Sequence, residues 1–95
     1  MIRAVFVGTC CLTVDGHAGQ AEKGKDIVCA GVSALVSALA YMLTDLSPDA
    51  LDITMKPGHA ELRCKPSKQA EQAFLQTRYG LMLIMSEYGE YLDVQ

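Results

Sequence analysis

The stretch DIVCAGVSALVSALAYMLTD, residues 26 to 45, decides how this chain folds. Val28, Val32, Leu35, Val36, Leu39 and Leu43 recur at intervals of three and four, which gathers them on one face of a helix. Asp26 offers the N-cap, and the helix is expected to end near Thr44 and Asp45, ahead of Ser47 and Pro48. The run from Ile27 to Leu43 carries no charge. At helical rise it covers only about 25 Å, short of the roughly 30 Å of a bilayer's hydrocarbon, and Gly31, Ser33 and Ser37 interrupt it. It is expected to be the buried helix of a soluble protein that does not engage a membrane.

Working outward toward the N-terminus, Ala18 to Lys25 is polar, holds Gly19 and Gly24, and has no periodicity, which predicts a mobile surface loop. Before it, Ile2 to Val7 and Cys11 to Asp15 read as two short strands joined at Gly8 and Thr9, a hairpin ending at Gly16 and His17. Beyond the helix, Leu51 to Lys56 and Ala60 to Lys65 flank Pro57 and Gly58 as a second hairpin. Ser67 is a candidate N-cap for a second helix with Glu71, Phe74, Leu75, Leu81, Met82 and Met85 along it. Gly80 is a weak point in that helix, Gly89 is its stop, and Tyr91 to Val94 is a short terminal strand. The order β-β-α-β-β-α-(β) has too few helices for a doubly wound sheet, so an α+β, two-layer domain with two helices packed on one small sheet is expected.

The 95 residues allow one domain, 1–95. Half of them are hydrophobic (51%), enough for a core with a surplus available to an interface between copies. A net charge of -3 and no run of Lys or Arg exclude the basic face of a nucleic-acid binder. MIRAVFVGTCCL lacks the apolar centre of a secretory signal, and adjacent Cys10 and Cys11 fit a disulfide framework poorly. The thiols are therefore expected to be reduced and the protein cytoplasmic.

With Asp26 as the N-cap, Cys29 occupies the third helical position, where free amides and the helix dipole favour a thiolate. His17 stands twelve residues earlier, and a loop of that length can bring its imidazole to the sulfur, the pairing used in nucleophilic catalysis. In that arrangement His17 takes the thiol proton, Cys29 attacks a peptide carbonyl, and the amides around Cys29 hold the oxyanion. Ser33 lies one turn beyond Cys29 on the same helical face, placed either to meet substrate or to bond back to its own helix. On residue types alone the plainer reading prevails, a helical Cys being usually a small buried hydrophobe and a lone His usually structural; the helix-start placement and the glycine-bearing loop are what favour catalysis. His59, beside Pro57 and Gly58, reads as a solvated hairpin-tip histidine, Cys64 as packing, and of Cys10 and Cys11 only one can face inward.

The composite of GHA at 16 to 18, Gly24, and DIVCAGVSAL at 26 to 35, with its His-to-Cys spacing, resembles the signature of the bacterial ribosomal-processing cysteine proteases, the YsxB-like proteins. The resemblance implies a homodimeric α+β cysteine endopeptidase, without cofactor or metal, whose catalytic dyad corresponds to Cys29 and His17. Asp26, Ser33 and Ala30 match positions that support the site or bind substrate. The implied partner is the precursor of a large-subunit ribosomal protein, the one numbered twenty-seven, whose N-terminal extension is removed in support of ribosome assembly. Two other readings stay open. One is a non-enzymatic dimer that binds during ribosome assembly, and the other a small metal-binding module using Cys10, Cys11, His17 and Cys29 or Cys64, although no C-x-x-C pair is present.

Overall fold

The computed structural model describes residues 1–16, 23–46 and 48–95. Its elements are β1 (Ile2–Phe6), β2 (Cys11–Asp15), α1 (Lys23–Leu46), a 3-10 turn (Pro48–Ala50), β3 (Leu51–Lys56), β4 (His59–Cys64), α2 (Lys68–Tyr88) and β5 (Leu92–Val94). The expected α+β architecture is what forms: two helices against one five-stranded sheet of order β3-β4-β2-β1-β5. All neighbours are antiparallel except β1 and β5, which run parallel with Ile2 opposite Leu92.

Alternation along the strands explains the layering. Ile2 and Ala4, Leu12 and Val14, Ala60, Leu62 and Cys64 are buried, and the register places Leu12 opposite Leu62 and Val14 opposite Ala60. One sheet face is thus apolar, and the helices cover it. From α1, Val28, Val32, Val36, Leu39 and Leu43 enter this core, as the three- and four-residue spacing requires. From α2 come Ala70, Ala73, Phe74 and Leu81. The two helices meet through their glycines: a Cβ on Gly80 would stand 2.9 Å from Leu35 Cδ2, and one on Gly31 would stand 3.0 Å from Ile84 Cδ1. Gly80 is therefore the seat of Leu35 in the helix crossing, a role beyond a local weak point.

The local signals act as chemistry dictates. Ser67 caps α2, its Oγ accepting from the amide of Ala70 at 3.1 Å. The two-residue turn between β3 and β4 puts Gly58 at φ 76, the left-handed conformation that a Pro-Gly turn asks of its glycine. Gly16, at φ 98, ends β2 where any Cβ would run into the carbonyl oxygen of Met1, and its amide donates to the Gly58 carbonyl at 2.9 Å. Only glycine fits there.

Three expectations need correction. α1 begins at Lys23, so Asp26 is not its N-cap but lies within the helix, and Lys23 to Lys25 belong to the helix, not to the loop. Apart from Gly24, this stretch has good helix formers and no proline, which lets the helix extend upstream of the capping signal. Residues 17–22, the rest of the expected loop, lie outside the described residues. The length argument against membrane crossing also fails, because Ile27–Leu46 is 20 residues and is long and apolar enough to span. What identifies this helix as part of the domain is its packing, since Val28 to Leu43 commit one stripe to the sheet.

Candidate active site

Cys29 lies on the part of α1 that overhangs one end of the sheet, half-buried and packed against the core. Its thiol shares a cavity of about 220 Å³ with Ser33 and Ser37 of the same helix. Residues 29, 33 and 37 are spaced by four, so they form one stripe along the helix. Val32 and Val36 flank this stripe, and Ile2, Val14, Met55 and Ala60 form the facing wall. Val14, Ala60 and Met55 are register partners across β2, β4 and β3, a continuous apolar row of the sheet. Gly16 lines the same cavity, with Lys56, Gly58 and His59 at the hairpin turn.

The starting point of α1 changes the electrostatics expected around Cys29. It is the seventh residue of the helix, not the third, so its amide belongs to the i→i−4 ladder and is not free for an oxyanion. The dipole's influence falls off within the first turn, which leaves the thiol without that source of stabilisation. Ser33 is exposed, and its hydroxyl has no hydrogen-bond partner among the described residues. It does not bond back to its helix, so it is available to a ligand. Ala30 is exposed and is not among the residues lining the cavity. His17 lies outside the described residues, directly after Gly16.

His59 is less isolated than its place beside the turn suggested. Its Nδ1 is paired with Asp15 Oδ1, its register partner on β2, and its Nε2 stands 3.6 Å from Glu61 Oε2. The hydrogen bond to Asp15 raises its pKa above the ordinary 6.5. Because Ala60 points under the helices, the pleat sends the His59 imidazole to the opposite, open face. The pair is thus built on the sheet surface, with His59 also at the hairpin-turn edge of the Cys29 cavity.

The remaining cysteines are all free thiols. Cys10 and Cys64 are buried side by side, and burial followed by the neighbouring Cys10 pushes Cys64 up to about 11, which keeps it a neutral packing thiol. Cys11, as the strand alternation required, is the partner that does not face inward. Among the described residues no group of three His, Cys, Asp or Glu side chains is placed to hold a metal ion. Reading the sequence missed Ser37, although its i+8 spacing from Cys29 was visible, and it missed the Val14, Ala60 and Met55 row, which depends on strand register.

The family model for the cysteine protease Prp matches residues 1–93. The ribosomal processing cysteine protease Prp of Staphylococcus aureus is 37% identical over 81 residues, 81% of this chain and 76% of that protein. The fold agrees with SMU.848 from Streptococcus mutans at a TM-score of 0.86 and 25% identity, covering 100% of this chain and 92% of that one. It agrees with the S. aureus protease Prp in complex with a substrate peptide at a TM-score of 0.81 and 25% identity, covering 99% and 95%. The same S. aureus protease with a covalently linked product peptide gives a TM-score of 0.80 and 26% identity, again over 99% and 95%. With a half-buried cysteine in a cavity between helix and sheet, and with family, sequence and fold in agreement, this chain belongs to the Prp family of cysteine proteases.

Proposed function

We propose that this protein is the endopeptidase that removes the N-terminal extension of a large-subunit ribosomal protein precursor, the one numbered twenty-seven, with Cys29 as nucleophile and His17 as its base. The observation that carries this reading is the Cys29 thiol in a cavity whose other edge is Gly16, the residue bonded directly to His17.

The chemistry follows from the groups in place. His17 takes the Cys29 proton, the thiolate adds to the scissile carbonyl, and collapse of the tetrahedral species expels the amine, which receives the proton from His17. Water then hydrolyses the thioester with His17 as base, which releases the new carboxylate and restores the thiol. Neither half needs a metal or cofactor. Since the Cys29 amide is spent in the helix, this reading assigns the developing oxyanion to the hydroxyl of Ser33, which lines the same cavity one turn along. Asp26, at a position that resembles a supporting position of the family, is assigned to that role in this reading.

The protein acts in the cytoplasm as a homodimer on this reading. Leu75, Tyr79 and Leu83, spaced by four on α2, are 43%, 65% and 69% exposed, an apolar stripe suited to a second copy. The dyad is tested by alkylating Cys29 with iodoacetamide near neutral pH. His17→Ala should slow the reaction by about tenfold or more and abolish cleavage of a peptide spanning the extension. Alkylation and cleavage at the wild-type rate would remove His17 from the mechanism.

A further inference from the structure

The cavity continues past the reacting sulfur. Ser37 lies two turns along α1 from Cys29, about 12 Å at helical rise, and lines the same cavity. An extended peptide covers that distance in about three to four residues. Serine and threonine hydroxyls inside helices commonly bond back to a carbonyl of the preceding turn, and three here do so: Thr44 to Ala40, Thr77 to Ala73 and Ser86 to Leu83. The half-buried Ser37 does not, and its hydroxyl has no hydrogen-bond partner among the described residues. It faces the apolar row ending at Met55, which is 48% exposed at the outer strand.

We propose that Ser37 is a substrate-binding residue whose hydroxyl hydrogen-bonds the backbone of an extended peptide three to four residues from the scissile bond. The inference rests on Cys29 being the nucleophile of the proposed proteolysis. The facing apolar row takes the peptide's side chains, while the serine holds its main chain. This contact is formed in the ground state and in the transition state alike, so its loss raises KM and leaves kcat unchanged.

The test uses the full chain and a peptide spanning the cleavage junction, together with versions trimmed to two residues on either side of it. Ser37→Ala removes only the hydroxyl and favours the helix, so folding is retained. On the long peptide it should raise KM by about three- to tenfold with kcat unchanged. Trimming one side should make wild type and variant equal, and this identifies the side on which Ser37 acts. An unchanged KM, or a difference that survives trimming on both sides, would overturn the proposal. If the wild-type protein leaves every peptide intact, the proteolytic reading itself fails, a result distinct from either of these.

Discussion

Cys29 shows how far a residue type can be read without its neighbours. The cysteine and its spacing from His17 are visible in the sequence, but the start of the helix was misplaced because helix starts depend on backbone competition upstream of the cap. With α1 beginning at Lys23, Cys29 stands in the second turn of the helix, beyond the dipole's reach, and the proposed mechanism assigns its activation to His17. The glycine of the GHA triplet has a structural reason of its own: Gly16 is at φ 98 against the Met1 carbonyl, which fixes the chain's exit from β2 just before His17. The Asp15 and His59 pair was not legible, since it exists only through the register of β2 with β4. Because the folded-state pKa of His59 is raised above 6.5, the pair contributes stability below that value and loses it as pH rises through the folded pKa. Asp15→Asn is therefore expected to lower Tm more at pH 6 than at pH 9. Equal losses at both would show that the pair is not coupled to folding.

At the scale of elements, local chemistry made most of the pattern readable. Ser67 with its Ala70 contact and the Pro57 and Gly58 turn are short-range devices, and both elements formed where those residues stand. The parallel pairing of β1 with β5 was not readable, because it joins the two ends of the described chain across the whole topology. Helix propensity likewise misjudged Gly80. Its missing side chain is the space that Leu35 fills, so Gly80→Ala should be tolerated by a small shift of a flexible leucine tip. Gly80→Leu has no such escape and is expected to destabilise by about 1–3 kcal/mol in urea unfolding. Wild-type stability in Gly80→Leu would mean that the helices are not in contact there.

For the whole molecule, the two-layer plan exposes a cavity at one end of the sheet and an apolar stripe on α2. The stripe was legible only as a surplus of hydrophobic residues, since exposure is a property of the packed molecule. If the stripe forms the dimer, Leu83→Glu should yield monomers by light scattering at concentrations where wild type is dimeric, and a dimeric variant would place the contact elsewhere. The most direct test of the account compares wild type with Cys29→Ala on a peptide carrying the ribosomal protein's extension and first mature residues, read by mass spectrometry under reducing, metal-free conditions. Circular dichroism on the variant establishes that it is folded. The account predicts one cut by the wild-type protein and an intact peptide with Cys29→Ala. Cleavage by the folded variant at the wild-type rate would contradict it.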